Sequence, residues 1–137
     1  MNLKSIHIGE LIHKRVSEVE IPVGRIEKFM KCSEDEIESM YQESSIDTFL
    51  LLRWSKLLEY DFFRVYSGHL ILYAPPSKRH DISRPKDNLP AFRKNIYTEE
   101  VKSFIIEKIV SKKMTVNDVV LKYRIPKTTL FRWIKKA

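Results

Sequence analysis

The stretch VNDVVLKYRIPKTTLFRWIKK, residues 116–136, decides how this chain folds. It holds two short helical patterns separated by a break. Thr115 is a good N-cap with Asp118 three positions on, a short-armed capping box, and Val116, Val119, Val120 and Tyr123 supply one apolar face. Arg124, Ile125 and Pro126 interrupt the pattern, because proline disfavours helical geometry in the residue before it yet is accepted at a helix start. From Lys127 onward, a projection at about 100° per residue separates two arcs. Leu130, Trp133, Ile134 and Ala137 share the apolar one. Lys127, Thr128, Phe131, Arg132, Lys135 and Lys136 share the other, with Phe131 placed at its edge.

Immediately upstream, YTEEVKSFIIEKIVSKKM starts with the N-cap residue Thr98 and with Glu99 and Glu100, acids where the positive end of a helix dipole favours them. Val101, Phe104, Ile105 and Ile109 form a helical stripe, and Lys112 and Lys113 close the segment with the favoured sign. Residues 97–137 therefore read as three helices. The polar arc of the last one has the chemistry a major-groove reader needs. Arg132 can donate twice to a guanine edge, Thr128 can donate, accept or touch a thymine methyl, and the lysines can meet phosphates. A three-helix protein-interaction bundle with a hydrated basic face is the competing reading.

The same stretch resembles the homeodomain-like helix-turn-helix at the DNA-binding end of many insertion-sequence transposases, over roughly the final forty residues. The resemblance implies double-stranded DNA as partner, with Lys127, Thr128, Thr129, Phe131 and Arg132 facing the groove and Trp133 packed on the preceding helices. Arg124 departs from the pattern, which often has glycine where the turn is left-handed, a geometry costing other residues roughly 1 kcal/mol. Arg124 is then a candidate phosphate contact. Transposases of this kind do their chemistry with metal-binding acids in a separate nuclease domain, and no segment here is long enough for one. The expectation is a non-enzyme without cofactors, and a transposase as a candidate partner.

Residues 1–73 read as a run of short helices. Ile8, Leu11, Ile12 and Val16 mark a first helix over 6–17, and Pro22 stands near the start of a second that carries Val23, Ile26 and Phe29. Ser33 with Glu36 predicts a third over 34–41, and Ser45 or Asp47 opens a fourth through Leu50, Leu51, Trp54, Leu57 and Leu58. HLILY, residues 69–73, is a short apolar run open to a strand reading, in which its edge would seek a second copy.

This series, closing with SIDTFLLLRWSKLLEYDFFRVYS, resembles the Cro and lambda-repressor-like helix-turn-helix family over about residues 6–67. In that family the third helix enters the major groove. Here it carries Glu34, Asp35, Glu36 and Glu38, which repel phosphates, so the base-reading role is not transferred. The expected role is dimerisation or partner docking, with a homodimer through this unit. Tyr60, Phe62, Phe63 and Tyr66 either form the docking cluster or complete a small core.

Residues 74–96 contain Pro75, Pro76, Pro85 and Pro90 and read as a semi-extended basic linker. Its Lys78, Arg79, Arg84, Lys86, Arg93 and Lys94 are candidates to track phosphate or a minor groove. The formal charge of +7 is unevenly distributed: residues 1–73 carry 9 basic and 12 acidic side chains, 74–96 carry 6 and 2, and 97–137 carry 10 and 4. A polyanion belongs with the second half.

One cysteine, Cys32, rules out an internal disulfide or a multi-cysteine zinc site, and His7, His13, His69 and His80 lack the spacing of a ligand set. No apolar run approaches the length of a membrane span. The sequence thus predicts an all-α protein of two small helix-turn-helix domains joined by a proline-rich basic linker. The expected function is cytoplasmic, nucleoid-associated, sequence-specific DNA binding in transposition or transcription regulation. A protein-interaction adaptor or an RNA-binding module is the alternative.

Overall fold

The computed structural model describes residues 1–75, 89–90, 92 and 95–137. Among these residues there are eight helices and no strand: α1 (Ile8–Val19), α2 (Val23–Met30), α3 (Glu34–Tyr41), α4 (Thr48–Leu58), α5 (Phe63–Tyr73), α6 (Glu99–Val110), α7 (Val116–Tyr123) and α8 (Lys127–Lys136). Most helix starts follow short-range polar signals. Ser33 accepts from the Glu36 amide at 3.2 Å, Asp47 from Phe49 at 2.7 Å, and Thr98 from Val101 at 3.5 Å. Thr115 and Asp118 close the reciprocal capping box at 3.1 and 3.0 Å. The first helix has an unheralded cap, the His7 ring, whose Nδ1 accepts from the Glu10 amide.

The chain separates into two compact units, one of residues 2 and 4–65, the other of residues 1, 3 and 66–137. In the first, Ile8 and Ile12 of α1, Ile26 of α2, Ile37 of α3, Trp54 of α4 and Phe62 bury almost completely. Trp54 donates its indole N–H to the Met40 sulfur at 3.3 Å, so the core's largest side chain has its polar group satisfied. At the start of α1 the Ile8 and Gly9 amides donate to the Ser44 and Glu43 carbonyls. This approach is so close that a Cβ on Gly9 would lie 2.5–2.6 Å from three carbonyl oxygens.

Residues 69–73 are helical, so the strand reading of this run does not hold. An apolar run alone does not distinguish the two. The arbiter is what buries: Val65, Gly68, Ile71 and Leu72 recur at helical spacing, and the helix starts upstream, where Asp61 accepts from the Phe63 amide at 3.1 Å. The edge expected for pairing with a second copy is therefore absent. Of the four clustered aromatics, Phe62 is buried while Tyr60, tilted against it at 4.8 Å, is exposed.

In the second unit Val101 and Ile105 of α6, Val119 and Tyr123 of α7, Ile125, and Leu130 and Trp133 of α8 form the core. The latter part of α5 belongs here as well. Gly68 admits Leu3 and Val101 into contact, the His69 ring bonds the Leu3 carbonyl at 2.6 Å, and Tyr73 meets Phe104 edge-on at 6.2 Å. The six cations expected to act from the linker, Lys78, Arg79, Arg84, Lys86, Arg93 and Lys94, lie outside the described residues.

Candidate nucleic-acid interface

The turn between α7 and α8 consists of Arg124, Ile125 and Pro126. Arg124 ends α7 in the left-handed region, φ 58° and ψ 33°, with its N–H donating to the Val120 carbonyl at 3.1 Å. Such a backbone costs a non-glycine residue about 1–2 kcal/mol. Ile125 offsets that cost by entering the core with no exposed surface. Pro126 then sets the start of α8 in extended geometry, φ −58° and ψ 139°, and offers no side-chain acceptor to the opening amides. A helix start of this kind leaves its first N–H groups available to an anion.

Two contacts hold α8 by its inner side. Leu130 is 1 % exposed, and Trp133 is buried with Tyr97 standing edge-on to its ring at 5.1 Å. Tyr97 carries no sequence signal beyond being an aromatic beside an N-cap, yet it is one of the groups that fix how α8 is rotated about its axis.

The outer side carries the expected residues. Lys127, Thr128, Phe131, Arg132, Lys135 and Lys136 are all exposed, while Thr129 and Arg124 are half-buried on the flanks. Phe131 lies at the Lys127 end of this arc, and the Lys127 ammonium lies over its ring, 5.8 Å from the centroid. From residue 119 to residue 137 there is no acid, and Lys122, Arg124, Lys127, Arg132, Lys135 and Lys136 are all cationic. The acid that precedes them, Asp118, has its carboxyl held below the usual range by hydrogen bonds from Thr115, so it is spent as a cap.

The N-terminal unit has a locally similar connection. Lys31 ends α2 in the left-handed region at φ 55°, Cys32 follows, and Ser33 caps α3. Its second helix has the opposite electrostatic character, with Glu34, Asp35, Glu36 and Glu38 all exposed. Burial, Glu36 and Glu27 push the Cys32 thiol up, which keeps it protonated and weakly nucleophilic. A hollow between the ends of α1 and α4 contains Arg15, Arg25, Glu20 and Glu59, but Arg15 already donates to the Leu58 carbonyl and pairs with Glu18.

No protein-family model, no curated protein and no solved structure matches the chain. Among the described residues, no three His, Cys, Asp or Glu side chains converge as a metal site, and no helix is long and apolar enough to cross a membrane.

Proposed function

We propose that this protein binds double-stranded DNA sequence-specifically through the exposed face of α8, without catalysis, as a transposase-related DNA-binding protein or a transcriptional regulator. The observation that carries the reading is a helix whose inner face is anchored by Leu130 and Trp133 and whose outer face presents only cations, hydroxyls and one aromatic. An anchored helix holds its donors in one register, which reading base edges requires. Within this reading Arg132 contacts a base edge. Lys135, Lys136 and Arg124 meet phosphate, and the opening amides of α8 add a further phosphate contact. The protein would work at the nucleoid, with a transposase or a second copy as protein partner. Both helix-turn-helix domains and the basic linker are part of this proposal.

The test is duplex binding by the full chain. Arg132→Ala should cost about 1–3 kcal/mol on a preferred site and relax preference at one base step, while Lys136→Ala should weaken all sequences alike. Equal losses for both would defeat the assigned roles. Equal retention of duplex and single-stranded RNA would favour the RNA-binding alternative, and retention of neither would favour the adaptor.

A further inference from the structure

We infer that Phe131 is a specificity-determining residue that reads the 5-methyl group of thymine. The inference rests on the DNA reading above and adds to it a base identity. Its starting point is a local mismatch: α8 buries Leu130 and Trp133, yet leaves Phe131, a residue of comparable apolar area, 51 % exposed among lysines, a threonine and an arginine. A singly exposed apolar residue is ordinary, and what sets Phe131 apart is its place within a face of cations and hydroxyls, with the Lys127 ammonium over its ring. Its placement makes sense when the helix docks.

Phe131 stands one turn beyond the start of α8, between Lys127 and Lys135 in projection, and Lys127 covers it from one side. If Lys127 and Lys135 meet phosphates, the ring between them faces the groove, on the same docked side of the helix as Arg132. A phenyl ring has no hydrogen-bond capacity, so of the groups on a major-groove floor only the thymine methyl matches it. On duplex DNA an exposed aromatic also serves as a wedge that unstacks base steps, but that geometry belongs to minor-groove binders, whereas a helix fits the major groove. The contact also distinguishes DNA from RNA, because uracil lacks the methyl.

The experiment uses the full chain. Duplexes it retains from a randomised pool are resynthesised with deoxyuridine replacing thymidine, one position at a time. Wild type should show a thymine at which the replacement weakens binding about fourfold, the worth of one methyl group removed from water. Phe131→Ala should bind thymine and uracil duplexes equally while keeping the wild-type salt dependence, and Phe131→Leu should keep part of the discrimination. Retention of duplexes with no uracil-sensitive thymine overturns this inference alone, as does a uracil penalty that persists in Phe131→Ala. Failure to retain any duplex overturns the DNA reading and this inference together.

Discussion

Two side chains have consequences that can be measured singly. Arg124 sits in left-handed backbone where glycine would be unstrained, and within the proposed function it also meets phosphate. These two roles give opposite signs to one substitution. Arg124→Gly should raise unfolding stability by up to about 1 kcal/mol, since relief of strain exceeds the added freedom of the unfolded chain. The same change should lower DNA affinity and reduce the magnitude of the salt slope by about one. Denaturant melts and a binding series read the two effects separately, and a variant that loses both stability and affinity would show that the backbone is not strained. Tyr41 concerns the other unit. Burial first, then the Glu38 carboxylate and Cys32, pushes its phenol up to about 12. The folded state therefore favours the neutral phenol, so the stability it contributes is present below the ordinary tyrosine value of about 10 and is lost as pH rises toward about 12. Urea midpoints measured across that window should fall for wild type. They should stay flatter for Tyr41→Phe, which keeps the ring stacked 4.4 Å from His13.

At the scale of elements, legibility followed the range of the interactions. Residues 34–41 were readable as α3 because Ser33 and Glu36 satisfy each other three positions apart, and the capping box of Thr115 and Asp118 was readable for the same reason. The two arcs of α8 were also visible, since helical projection needs only one segment. Residues 69–73 do not declare themselves in sequence, because an apolar run is ambiguous until its partners are known, and the partners, Leu3 and α6, are distant in sequence. Nor could sequence show that Tyr97 meets Trp133, a pairing across the unit. The approach of α1 to the end of α3 was equally hidden, and it yields a prediction. Gly9→Ala would press a methyl against the carbonyls of Met40, Tyr41 and Glu43, which are backbone and cannot rotate away. The substitution should destabilise the N-terminal unit by about 1–3 kcal/mol. Gly24→Ala, in the first turn of α2 with nothing near the added Cβ, serves as the control, since alanine there restricts only the unfolded chain. Equal melting of the two variants would mean that α1 can shift without cost.

For the whole molecule, the formal charge of +7 conceals the arrangement that matters. Twelve acids and nine bases in residues 1–73 leave that stretch slightly negative, while residues 119–137 hold six cations and no acid. Binding governed by total charge would respond to a charge change anywhere on the chain. Binding governed by α8 and its turn would not. The two cases separate in a salt series, because each phosphate neutralised contributes about 0.9 to the slope of log affinity against log salt. If Arg124, Lys135, Lys136 and the opening turn of α8 supply the contacts, the wild-type slope should be roughly −3 to −5, and each linker cation that also meets a phosphate steepens it by about 0.9. Lys135→Ala combined with Lys136→Ala should make it shallower by about two. Neutralising α3 through Glu34→Gln, Asp35→Asn, Glu36→Gln and Glu38→Gln changes the total charge by more than the lysine pair does, yet should leave both slope and base preference as in wild type. A slope that moved more with α3 than with the lysines would place the polyanion contact in the N-terminal unit. A slope near zero in the wild-type chain would remove nucleic acid as the partner and leave the adaptor reading, in which the cations of α8 meet an acidic protein surface instead.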